Sequence, residues 1–349
     1  MALTTKGAAA GLAMLAALAA GGAQAAGELY LYNWTNYFPP DLLKKFEAET
    51  GIKVVLDTYD SNETMLAKLQ AGGGGYDVVV PSDYIVPVMI EAGLLLQIDA
   101  AKMDNFKNVA SPFDQQWFDP ERAYTAPYMW GTTGFSYDSA RVPGGQLEES
   151  WKSFFEPPPE LQGQVAALND EVELYNAAAL YLGIGKCTES AEDAQRILEV
   201  LERQKPMLAM YQSDGTIERM IAGEVIMHHQ WNGAAHRTRE QKPSVVFVYP
   251  KEGLNFWQDN FAVPKDARNA DNAKTFINWM MAPENIAVAS NFTGYMNAIK
   301  GSEAFMDAAL RDDPAVVMPA EYAERLSPAL DCSEKARELR NRVWTRLKK

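Results

Sequence analysis

Residues 28–83, ELYLYNWTNYFPPDLLKKFEAETGIKVVLDTYDSNETMLAKLQAGGGGYDVVVPSD, decide the fold. ELYLYNW reads as a strand. Pro39 and Pro40 open a helix that sets Leu42, Leu43 and Phe46 on one face, with Lys44, Lys45 and Glu47 outside, and Gly51 is a suitable stop because glycine accepts the left-handed conformation that ends many helices. IKVVLDTYD is a second strand, and SNETMLAKLQAGG a second helix with Ser61 or Asn62 as N-cap. YDVVVPSD is a third strand, so apolar that both of its faces should be buried. A βαβαβ start of this kind builds a doubly wound, mainly parallel α/β sheet, whose ligands bind beyond the carboxyl ends of the strands. Trp34 to Tyr37 and Ser82 to Tyr84 stand at two such ends.

The pattern continues outward. AYTAPYMWGTTGFSYD, residues 123–138, reads as a strand pair leaving a first lobe, with Gly131 and Gly134 giving it freedom to bend. Strands at GQVAALND, GEVIMHHQW and SVVFVYP alternate with helix formers such as SAEDAQRILEVLERQKP, which makes a second α/β lobe. FWQDNFAVPKDA returns to the first. A chain of 349 residues exceeds what one hydrophobic core supports, so two lobes are expected.

Met1 to Ala25 carries a single charge, Lys6, ahead of an Ala/Leu/Gly-rich core and the tripeptide Ala23-Gln24-Ala25. This is the pattern of a secretory signal peptide cleaved after Ala25. The remaining chain is acidic, since 46 Asp and Glu outnumber 32 Lys and Arg. That balance repels phosphate backbones, argues against nucleic acid as a partner and favours cationic ligands. Export to an oxidising compartment makes a disulfide between Cys187 and Cys332 possible; two separate buried thiols are the alternative.

Other motifs carry little. Gly72 to Gly75 lacks the Lys-Ser/Thr of a phosphate loop and precedes a strand. His228 and His229 are neighbours on a strand and so point to opposite faces, which predicts one packed and one solvent-facing histidine rather than a metal pair with His236. No arrangement of an activated nucleophile with its base is present. What stands out is aromatic residues at strand and loop ends, each with a carboxylate or amide close by: Trp34, Asn36 and Tyr37; Asp83 and Tyr84; Trp231 and Asn232; Trp257 and Asp259; Tyr295 and Asn297. Together they suit a box that stacks on methylene chains, holds ammonium groups by cation–π contact and neutralises them with carboxylates.

With LYNWTNYFPP, KFEAETGIKV, TYDSNETMLAKL, YDVVVPS, APYMWGTTG, WNGAA, YPKEGLNFWQDNFAVP and TGYMNA in this order, the chain resembles the spermidine/putrescine-binding receptors of bacterial ABC importers, which are type II periplasmic binding proteins. The resemblance implies a ligand cleft between two α/β lobes, lobe one over 27–133 plus 258–304 and lobe two over 134–257 plus 305–349. Both cysteines then fall in lobe two, which favours their bridge.

It further implies that Trp34, Tyr37, Tyr84, Trp231, Trp257 and Tyr295 wall the ligand, with Thr35 between the first two, and that Asp259 takes an ammonium. Asn36 and Ala234 stand where relatives carry acids. Leu174 falls where a ligand-binding glutamate belongs, leaving Glu171 or Glu173 for that role, and Asp83 adds an acid where spermidine receptors are neutral. Arg219 and Arg237 are the nearest cations for a carboxylate-bearing ligand.

The reading is a monomeric, non-enzymatic periplasmic receptor without cofactor, delivering putrescine or spermidine to an inner-membrane permease. The alternatives are another small amine such as agmatine or γ-aminobutyrate, a metal-ion receptor on the same fold, which would need convergent Tyr, His and carboxylate ligands, and an exported hydrolase.

Overall fold

Among the described residues, eleven strands join in one sheet: β1 (Gly27–Trp34), β2 (Ile52–Tyr59), β3 (Val78–Val79), β4 (Thr125–Asp138), β5 (Val165–Ala167), β6 (Leu208–Tyr211), β7 (Met227–Trp231), β8 (Val245–Val248), β9 (Leu254–Ala262), β10 (Met296–Asn297) and β11 (Leu326–Pro328). This computed structural model describes Met1, residues 27–72 and residues 74–349; the expected export core and its cleavage site lie outside the described residues. The strand order is β2-β1-β3-β9-β4-β7-β5-β6, with β8 and β10 paired to β4 and β11 to β9. β1 runs parallel to β2 and β3, as the opening pattern requires, and β5 runs parallel to β6 and β7.

Local chemistry fixes the first helices. Pro40–Thr50 begins with proline, whose missing N–H would have had no helical partner, and ends at Gly51 with φ 74° and its N–H on the Glu47 carbonyl at 2.8 Å. Leu42 and Phe46 are buried, while Leu43 is only half-buried. Ser61 caps the helix Asn62–Gln70 by accepting the Thr64 N–H at 3.2 Å, which leaves the Asn62 side chain for another task.

Residues 125–138 form one continuous 14-residue strand and not a strand pair. β4 and its antiparallel partner β9 cross the whole molecule, and their register shifts between Pro127 and Trp130. The two glycines of β4 serve close approach rather than bending. A Cβ on Gly131 would meet Asn232 Oδ1 at 2.5 Å and Trp257 Cζ2 at 2.6 Å, and one on Gly134 would meet the Val248 carbonyl at 2.4 Å.

Two cores flank this crossing. One gathers Leu29, Leu31, Phe46, Val78, Phe261 and Phe276; the other gathers Phe135, Trp151, Phe154, Leu174, Ile197 and Leu347. The chain beyond residue 304 joins the second core and a small cluster of its own. Met306, Leu310 and Val316 pack with Ala287, whereas Ala315, Val343 and Leu347 join the second core.

His228 and His229 are both fully buried, so the expected solvent-facing histidine is not there. β7 is an interior strand covered on both faces. His228 meets Arg219 of the helix Thr216–Ala222, and His229 packs on Trp151 and Phe154. Burial pushes both down to about 3, so both are neutral. Cys187 and Cys332 are joined in a disulfide across 145 residues of chain, fastening the segment after β11 to the second core's side.

Candidate functional site

A cleft opens at the carboxyl ends of β1, β3 and β7 and along β9. β9 supplies Asn255, Trp257 and Asp259 at every second position, so their side chains leave one face of the strand together. β1 delivers Trp34, after which Asn36 turns the chain with φ 57°, a left-handed conformation asparagine tolerates better than most residues, and Tyr37 folds back beneath. Asp170 caps the helix Glu171–Tyr181 by accepting the Glu173 N–H at 2.9 Å, and the helix then presents Glu173 and Asn176 to the cleft. Tyr295 can lie flat against the helix Asn232–Gln241 because a Cβ on Gly233 would strike its ring at 2.5 Å.

Each carboxylate of the cleft floor and wall has its own set of donors, with Asp83 and Asp259 buried and Glu173 half-buried. Asp259 accepts the Tyr37 hydroxyl at 2.8 Å and the Ser82 hydroxyl at 2.6 Å. Asn62 holds Ser82 from behind and also bonds the Tyr84 hydroxyl at 2.9 Å. Asp83 accepts the main-chain N–H of Tyr84 at 2.8 Å and of Gln258 at 3.2 Å. Glu173 accepts from Thr133 at 2.8 Å and Asn255 at 2.7 Å, and Trp257 in turn donates to Thr133 at 3.1 Å.

Burial dominates the electrostatics. Desolvation raises Asp259 to about 7 against the pull of the Ser82 and Tyr37 hydroxyls. It raises Asp83 to about 8, with help from the nearby Asp259 charge, and Glu173 to about 7, with help from Asp170. The rings stand around these acids: Trp34 against Tyr59 at 4.8 Å between centroids, Trp257 edge-on to Tyr295 at 5.1 Å, and Tyr37 edge-on to Tyr295 at 5.6 Å. A cleft of aromatic faces and desolvated carboxyl groups suits an organic cation.

The family model for bacterial extracellular solute-binding proteins matches residues 41–320. This chain belongs to that family. It is similar to a putrescine-binding periplasmic protein of Pseudomonas aeruginosa, 34% identical over 96% of each chain, and to the spermidine/putrescine-binding periplasmic protein of Escherichia coli, 34% identical over 84% of each. Among solved structures it resembles a spermidine/putrescine ABC transporter protein from Listeria monocytogenes, with a TM-score of 0.86 and 30% identity over 92% of this chain and 98% of that one. The fold of this solute-binding protein is that of the type II periplasmic binding proteins, two α/β lobes with the cleft between them. No helix among the described residues is long and apolar enough to cross a membrane.

Of the residues singled out in the sequence, Trp34, Thr35, Asn36, Tyr37, Asp83, Tyr84, Glu173, Trp231, Trp257, Asp259 and Tyr295 line the cleft of this solute-binding protein. Glu171 does not: it turns away to pair with Arg340 Nε at 3.3 Å and is also reached by Asn341. Leu174 is buried in the second core. Asn232 and Asn297 are structural, the first accepting the Thr132 N–H at 3.1 Å and the second the Ile299 N–H at 2.8 Å. Arg219 is occupied by His228 and the Asp214 carbonyl, whereas Arg237 does reach the cleft. Asn62, Asp170, Asn176, Lys186 and Asn255 also line it and were missed. For Asn255 a signal existed, because it stands two residues before Trp257 on the same strand.

Proposed function

We propose that this solute-binding protein is the periplasmic receptor for a polyamine, putrescine or spermidine, and hands it to an inner-membrane ABC permease. The observation that carries this is the placing of Asp83, Glu173 and Asp259 in one cleft among the rings of Trp34, Tyr37, Tyr84, Trp231, Trp257 and Tyr295. The rings stack on the methylene chain and face its ammonium groups. The carboxylates take the charges, Asp259 first, with Thr35 and Asn36 at the rim of the same wall. The names of the relatives support the same ligand class.

The receptor works as a monomer exported by its first 25 residues, with lobes of 27–133 plus 258–304 and 134–257 plus 305–349 closing about the β4/β9 crossing. A binding role without catalysis is supported by the relatives, which are named as periplasmic binding proteins. Thermal melting of ligand-stripped protein tests the reading. Putrescine or spermidine at 100 times its Kd should add about 2.7 kcal/mol to stability and raise Tm visibly, with EDTA making no difference. Unchanged melting with either amine at millimolar concentration would refute it.

A further inference from the structure

Lys186 is an ammonium that the chain itself places in the cleft. It is 7% exposed and lies among the lining residues. Its Nζ donates to the Ser327 carbonyl at 2.9 Å, the Pro328 carbonyl at 2.6 Å and Asn255 Oδ1 at 3.4 Å. A lysine has three N–H donors, so none is left over for a ligand. The other end of the Asn255 amide donates to Glu173 at 2.7 Å, so Lys186 and Glu173 hold one side chain between them. The neighbouring residue, Cys187, is bonded to Cys332, which fastens the 327–328 carbonyls and the lysine into one unit. Burial lowers Lys186 to about 8, while Glu173 and then Asp83 pull it upward, so it is charged at neutral pH.

We propose that Lys186 is a resident ammonium that fills one of the cleft's cation positions and thereby selects a diamine over a triamine. This rests on the polyamine reading above and deepens it. Fully ionised, as bound ammonium groups favour, Asp83, Glu173 and Asp259 carry three negative charges; Lys186, whose charge acts on Glu173 and Asp83, offsets one, and two remain for two ammonium groups of the ligand. Asp170 adds little to that balance, being held as a helix cap beside Arg340, which also pairs with Glu171. Because its donors are already engaged, Lys186 acts through charge and through the placing of Glu173 rather than by touching the ligand.

Titration of putrescine and spermidine into the wild-type protein, Lys186→Met, Lys186→Arg and the double variant Lys186→Met/Glu173→Gln tests this. The wild type should prefer putrescine. Lys186→Met should move the affinity ratio toward spermidine by roughly tenfold or more, as expected when a desolvated charge that acts on Glu173 and Asp83 is removed. Lys186→Arg should keep the wild-type ratio, and the double variant should restore it. An unchanged ratio in folded Lys186→Met overturns the proposal. If that variant does not fold, tighter wild-type binding of spermidine than of putrescine overturns it equally. Wild-type protein that binds neither amine refutes the polyamine reading itself and this inference with it, a result distinct from binding with an unaltered ratio.

Discussion

Asp259 is where burial, hydrogen bonding and charge meet in one side chain. Two hydroxyls hold it, and desolvation still lifts it to about 7. Asp259→Asn should therefore weaken amine binding by roughly 2–4 kcal/mol, the loss expected when a buried charge pair is left with one partner, and calorimetry against the wild type checks it. Together with Asp83 at about 8 and Glu173 at about 7, it also fixes a pH dependence. A carboxyl whose folded pKa lies above its unfolded value binds more protons folded than unfolded between the two, so these groups make the empty protein less stable as pH rises from about 5 to about 8. An ammonium favours the ionised forms. Binding at pH 7 should thus release protons, seen as a dependence of the binding heat on buffer ionisation enthalpy, and affinity should rise from pH 6 to 8. Heat independent of buffer would contradict it. At this scale Asp259 was legible because it stands two residues from Trp257 and because the family resemblance gives that position the ammonium. Choosing between Glu171 and Glu173 was not, since the answer depends on Asp170 being the cap that sets the helix phase. Lys186 was invisible, because its partners are main-chain carbonyls 141 and 142 residues away.

At the level of elements, the β4/β9 pair both joins the lobes and carries the site. Gly131 lets Trp257 and Asn232 pack against the β4 backbone, so Gly131→Ala should cost about 1–3 kcal/mol of stability by overpacking and should displace Trp257, weakening amine binding as well. Chemical denaturation and fluorescence titration of the variant read the two effects separately. Cys187 and Cys332 close a loop of 145 residues, and replacing both with serine should remove about 2–5 kcal/mol. Because Cys332 and Lys186 both line the cleft, ligand affinity should fall too. The opening strands and helices could be read from proline, glycine and apolar spacing. The single long β4 could not, since a glycine required for close approach looks in sequence like one required for a bend.

Over the whole molecule, the two cores lie on either side of the crossing strands, and the chain after residue 304 joins the second of them through Ala315, Val343 and Leu347. Hinge closure about a ligand should therefore shrink the radius of gyration in solution scattering when the amine is added. An acidic chain, net −14, should gather cationic ligands faster at low salt than at high salt. The overall two-lobed architecture was legible from the alternation of strands and helices and from the family resemblance, whereas which acids share the cleft depended on packing between segments far apart in sequence. Isothermal titration of mature, ligand-stripped protein with putrescine, spermidine, agmatine and γ-aminobutyrate decides the matter. Putrescine or spermidine should bind at micromolar concentration or tighter and γ-aminobutyrate should not; heat from γ-aminobutyrate alone, or from none of the four, would contradict a polyamine receptor.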